Sequence, residues 1–147
     1  MGFSLRYLGI DYGDLRIGLA IYDSSVDFIY PYKTLIRKRP NVLRKNINEI
    51  VDIIESEKIN KIVLGLPLNT DDSIGDRVEV TELFSKMLKM KLDPDIEIIY
   101  QDERYSSIES EEFLKSKNYS KDQIKKNIDQ VAAMIILNDY KESLNGR

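Results

Sequence analysis

The apolar positions Leu5, Tyr7, Leu8 and Ile10 crowd together up to Asp11 as in a buried strand, Tyr12-Gly13-Asp14 has the make-up of a tight turn, and Arg16 to Tyr22 predicts a second strand returning beside the first. Val26 to Ile36 predicts a third, and Pro31 within it assigns it to a sheet edge, because proline cannot donate to a central ladder. The period then lengthens. From Pro40 to Lys58, Leu43, Ile47, Ile50 and Ile54 recur at helical spacing, with the proline suited to a first turn. Lys61 to Leu66 is almost wholly apolar, as expected of a strand covered on both faces, and it stops at Pro67.

Beyond the polar loop Asn69 to Gly75, a stripe of Val80, Leu83, Phe84, Met87 and Leu88 predicts a second helix, and Ile96 to Tyr100 the last strand. Ser106 and Glu109 have capping-box spacing and open a helix reaching Lys115. A final helix from Ile128 to Ser143 turns Ala132, Ala133, Ile136, Leu137 and Tyr140 inward, ahead of a frayed tail after Leu144. The order β-β-β-α-β-α-β-α-α calls for a single α/β domain over residues 1–147: a mixed sheet with helices on its faces and right-handed crossovers.

Composition narrows the chemistry. The 147 residues include no cysteine and no histidine, which removes thiolate nucleophiles, disulfides, zinc ribbons and imidazole bases. The 25 Asp and Glu leave carboxylate as the resource for catalysis, a ligand suited to Mg²⁺ or Mn²⁺. No apolar run approaches the roughly 18 residues of a membrane span and no basic-then-apolar leader opens the chain, so a soluble, cytoplasmic protein without a membrane partner is expected.

The net charge of −3 is unevenly spread. Lys33, Arg37, Lys38, Arg39, Arg44 and Lys45 form a run without an acid, and a second lysine-rich stretch, Lys115 to Lys126, includes Tyr119. Each can be a solvated face or a grip on a polyanion. Three sets of acids stand out. Asp11 ends an apolar strand, where it either opens the turn or faces a ligand. Asp102 and Glu103 follow another strand at its carboxyl end, where ligands bind in open α/β sheets, or else cap the next helix. Asp129 lies on the inward stripe of the last helix, with Ala132, Ala133, Ile136 and Tyr140 at +3, +4, +7 and +11. A carboxylate there is costly unless it caps the helix, pairs or binds a cation. If these acids converge, their repulsion raises their proton affinities unless cations occupy the site.

Gly9-Ile10-Asp11-Tyr12-Gly13 through Arg16-Ile17-Gly18-Leu19-Ala20, then Gly65-Leu66-Pro67-Leu68-Asn69, Asp102-Glu103-Arg104 and Asp129-Gln130-Val131-Ala132-Ala133 resemble, in order and spacing, the YqgF/RuvX family of pre-16S rRNA nucleases and Holliday junction resolvase-like proteins. The resemblance runs from Leu5 to Tyr140. It implies an RNase H-like fold: a five-stranded mixed sheet, three antiparallel strands and then two running parallel to the first, flanked by helices. It also implies that Asp11, Glu103 and Asp129 are the catalytic, metal-binding residues, with Asp102 as a helper, and that one or two Mg²⁺ or Mn²⁺ ions are the cofactor. Arg16 and Arg104 match positions suited to phosphate contact or to local charge balance, while Gly13 and Gly18 match a turn and a close-packed strand. The chain departs from the family at Asp71-Asp72, Asp76, Tyr105 and Gln130, none of them a proposed ligand.

The expectation is therefore a metal-dependent nuclease hydrolysing phosphodiester bonds at the 5′ end of pre-16S rRNA. Its partner would be structured RNA, gripped by Arg16, Lys33, Arg37, Lys38, Arg39, Arg44, Lys45 and Arg104, and it would act as a monomer or homodimer. The alternatives are a resolvase of four-way DNA junctions and a non-catalytic RNA-binding assembly factor.

Overall fold

A computed structural model describes residues 5–39, 43–67, 76–103, 112 and 115–145. Strands β1 (Arg6–Tyr12), β2 (Arg16–Asp23) and β3 (Phe28–Ile36) are followed by helix α1 (Arg44–Ser56), strand β4 (Lys61–Leu66), helix α2 (Asp76–Lys89) and strand β5 (Glu97–Asp102). The short helix α3 (Lys121–Lys126) and the long helix α4 (Ile128–Asn145) complete the described chain. The expected polar loop Asn69 to Gly75, the capping pair Ser106 and Glu109 and the helix they open fall outside the described residues.

The sheet order is β3-β2-β1-β4-β5. The pairs β1–β2 and β2–β3 are antiparallel, whereas β1–β4 and β4–β5 are parallel. This is the RNase H-like arrangement that the family resemblance implies, and it agrees with the mixed sheet expected from the order of elements. The β3 edge assignment also holds: Ala20 pairs with Pro31 directly after Leu19 pairs with Lys33, so the register slips beside the proline.

Strand alternation divides the core. Leu8, Ile10, Tyr12, Ile17, Leu19, Ile21, Ile62 and Leu64 face α1 and α2, where Ile47, Ile50, Ile54, Phe84 and Leu88 cover them. Ala20 and Val63 belong to the opposite cluster, under Ala133, Met134, Ile136, Leu137 and Tyr140 of α4. Glycines let α4 sit close on this second face. A Cβ on Gly9 would come within 2.7 Å of the Ala133 carbonyl oxygen, and one on Gly65 within 2.4 Å of the Ile136 side chain. Neither has positive φ, so the requirement is space and not conformation.

Helix α2 departs from the predicted stripe. Phe84 and Leu88 are buried as expected, but Leu83 is 56% exposed and Val80 is exposed as well. The buried face is instead Val78, Thr81, Phe84, Ser85 and Leu88, with Thr81 reconciled by donating from its Oγ1 to the Arg77 carbonyl at 2.7 Å. Phe84 fixes this rotation by stacking on Tyr12, centroids 4.1 Å apart.

Candidate active site

Strands β1, β4 and β5 are parallel, so their carboxyl ends lie along one sheet edge. Asp11 is the penultimate residue of β1 and Glu103 immediately follows β5, where its N–H still donates to the Leu66 carbonyl at 3.0 Å. By alternation Asp11 shares the α4 face with Gly9, and Glu103 shares it with Ile99. Gly65 of β4 lies between them: a Cβ there would be 2.9 Å from a Glu103 carboxylate oxygen.

The Asp11 and Glu103 carboxyls lie within hydrogen-bonding reach of each other, an arrangement that favours the protonated form of Asp11. Burial pushes the Asp11 carboxyl well above the ordinary carboxylate range, reinforced by that contact and by the negative charges of Glu103 and Asp129. Arg77 opposes the shift. At Asp11 the neighbouring negative charges thus act in the direction expected of converging acids, second to burial.

Asp129 reaches the site from the first turn of α4. Its backbone carbonyl rests on β2 at Gly18, the residue opposite Asp11 in the ladder, where a Cβ would lie 1.9 Å from the Asp129 oxygen. Gln130 adds a side-chain hydrogen bond to Thr34 on β3 at 3.2 Å. The N-terminus of α4 is thereby held over β2 and β3, on the hairpin side of Asp11.

Asp102 is placed differently. It alternates with Glu103, is exposed, and takes the face that Ile98 shares with α1 and α2. The role of helper to Asp11 does not fit that direction. Among the described residues no three acidic side chains stand close enough to enclose one ion. The donor set nonetheless suits a hard cation: two carboxyls within hydrogen-bonding distance of each other, whose oxygens are the ligand type that Mg²⁺ or Mn²⁺ takes.

The basic run divides. The third strand, antiparallel to β2, ends at the same sheet edge as β1, so residues 37–39 that follow it lie at that end of the sheet. Lys33, Lys38, Arg39, Arg44 and Lys45 are exposed, as is Arg16 across from Ile36. Arg37 is the correction: it is 3% exposed, donates from Nη1 to the Gly13 carbonyl at 2.6 Å, and lies 4.7 Å over the Tyr12 ring. Its cation braces the β1–β2 turn from inside and does not face a polyanion. Arg104 lies outside the described residues.

One residue of the site escaped the sequence reading. Arg77, in the first turn of α2, donates from Nη2 to the Tyr12 carbonyl at 2.8 Å and forms an ion pair with Asp14. Its signal was position: the first cation after the Gly65-Leu66-Pro67 motif, in a stretch of acids.

The family model described as "RuvX: Holliday junction resolvase" matches residues 5–143. A Halothermothrix orenii protein named "Putative pre-16S rRNA nuclease" is 37% identical over 136 residues, covering 92% of this chain and 94% of its own length. A Clostridium tetani protein of the same name is 37% identical over 140 residues, covering 95% and 98%. Among solved structures, the fowlpox virus Holliday junction resolvase aligns with a TM-score of 0.55 at 17% identity, covering 95% of this chain and 99% of that one. Thermus thermophilus RuvC in complex with a Holliday junction substrate aligns at 0.52 and 9% identity, covering 90% and 89%. The structural likenesses speak to the fold, while the sequence matches run nearly end to end; on that footing the chain belongs to the RuvX (YqgF) family of nucleases.

Proposed function

We propose that this protein is a divalent-cation-dependent nuclease that hydrolyses phosphodiester bonds in pre-16S rRNA, at the immature 5′ end. The observation that carries the proposal is the half-buried Asp11–Glu103 carboxyl pair at the carboxyl edge of the sheet, with Asp129 close enough for its charge to act on Asp11. The rRNA substrate comes from the names of relatives that this chain matches over nearly their whole length.

Asp11 and Glu103 would hold Mg²⁺ or Mn²⁺, with Asp129 completing the negative site from α4. When bound, such an ion supplies a water of lowered pKa and neutralises charge on the phosphate, which is why a chain without histidine can carry out hydrolysis. The remaining work belongs to the protein. Gly18 and Gly65 leave room for Asp129 and Glu103 to approach Asp11, and the stacked Tyr12 and Phe84 hold the end of β1 rigid. Lys33, Lys38, Arg39, Arg44 and Lys45 are exposed and would bind the phosphate backbone without reading sequence.

Cleavage of four-way DNA junctions is the second reading, favoured by the description of the matching family. The two are separated by offering end-labelled RNA with an immature 16S 5′ end and a four-way DNA junction side by side in Mg²⁺. The proposal expects cuts in the RNA, whereas junction-selective cuts would transfer the assignment to resolution. Tight RNA binding with no cleavage in any divalent cation would leave a binding factor instead.

A further inference from the structure

We propose that Arg77 is a substrate-contacting residue of this site, held in reserve by Asp14 and transferred to the phosphate of a bound nucleic-acid strand. The inference rests on the nuclease reading and adds to it a cation and an exchange.

The two anchors of Arg77 are unequal. Nη2 donates to the carbonyl of Tyr12, a buried residue at the end of β1 and one position past Asp11. That tether holds the guanidinium at the end of β1 whatever else it binds. Nη1 pairs with Asp14 in the β1–β2 turn, whose side chain is 55% exposed, and an ion pair that open to water contributes little. Arg77 is itself about one-third exposed, at 36%. It therefore has one lasting partner in the backbone and one that a competing anion can replace.

A phosphodiester is such an anion, and this site needs a cation to admit it. Asp11, Glu103 and Asp129 together repel a phosphate, while Arg77 is close enough for its charge to act on Asp11. A guanidinium presents forked donors that match phosphate oxygens, and the first turn of α2 adds partial positive charge on the same side. Asp14 then competes with the substrate: it screens the cation in the free protein and gives it up on binding.

A double-mutant cycle, read by the affinity for a short labelled single-stranded RNA in Mg²⁺, tests this exchange. Asp14→Asn should tighten binding about two- to fivefold by freeing Arg77. Arg77→Gln should weaken it by about ten- to a hundredfold, with Arg77→Lys intermediate because it lacks the fork. In the Arg77→Gln background Asp14→Asn should change nothing, and added guanidinium ion should partly restore cleavage by Arg77→Ala. Equal effects of Asp14→Asn in both backgrounds, or wild-type affinity in Arg77→Gln, would overturn the exchange. Asp14 is an exposed turn residue, so its single variant reads the proposal even if Arg77→Gln folds poorly. The nuclease reading fails separately: it fails if Asp11→Asn cuts like wild type, whatever the binding cycle gives.

Discussion

The backbone carbonyl of Asp129 occupies the space where a side chain on Gly18 would begin, 1.9 Å from an ideal Cβ. One missing methyl group therefore sets how closely the last helix brings its acid to Asp11, which pairs with Gly18 across the β1–β2 ladder. Gly18→Ala should force α4 outward and destabilise the fold by about 1–3 kcal/mol, as overpacking does. Cleavage should fall further than that loss of stability explains. Gly9→Ala meets the same helix one turn further along, at Ala133, and serves as the comparison: similar loss in thermal melting, smaller loss in rate.

The Asp11 carboxyl implies a pH dependence. Its pKa lies well above the ordinary 3.8, so between that value and the folded-state value the native chain holds a proton that the unfolded chain has released. Stability then falls as pH rises through that window. In EDTA, the urea-unfolding free energy should be lower at about pH 8 than at about pH 5, and Asp11→Asn should flatten this dependence and be the more stable protein at the higher pH. Mg²⁺ should stabilise wild type by mass action and the variant much less.

The basic run should divide in function as it does in burial. Replacing Lys38, Arg39, Arg44 and Lys45 with glutamine should reduce the slope of log affinity against log salt by about 0.7 per lost phosphate contact on single-stranded RNA, leaving the melting temperature unchanged. Arg37→Gln should do the reverse: it leaves Gly13 without its side-chain donor and removes a cation from the Tyr12 ring, for a stability loss of about 1–3 kcal/mol.

On α2 the neighbours Leu83 and Phe84 have opposite fates. Phe84→Ala removes a fully buried ring stacked on Tyr12 and should cost about 3–5 kcal/mol, whereas Leu83→Gln on the exposed side should stay within about 0.5 kcal/mol. Urea unfolding of the two variants measures the difference.

That pair also shows where sequence pattern is ambiguous. On the strands, alternation and Pro31 were enough to predict β3 at the edge, and the +4, +7 and +11 positions from Asp129 lie on the buried face of α4. On α2, Val80, Leu83 and Met87 compete with Val78, Thr81 and Phe84 as equally periodic stripes, and only the contact with Tyr12 chooses between them. Helix α3 was legible but overlooked. Ser120 and Gln123 exchange the two bonds of a capping box, Gln123 N–H to Ser120 Oγ at 3.2 Å and Ser120 N–H to Gln123 Oε1 at 2.8 Å, within a segment read only for its lysines. The meeting of Asp11 with Glu103 could not be read from spacing, since 92 residues separate them and the parallel pairing through β4 brings them together. The burial of Arg37 was equally hidden, because a run of cations carries no mark of which one turns inward.

The central claim is that the Asp11–Glu103 pair carries phosphodiester hydrolysis, and single-turnover cleavage of end-labelled RNA with an immature 16S 5′ end tests it most directly. Wild type should cut at a defined position in Mg²⁺ and stop on addition of EDTA, while Asp11→Asn and Glu103→Gln, folded by circular dichroism, should both lose cleavage and retain RNA binding. Cleavage at the wild-type rate in either variant would contradict the assignment.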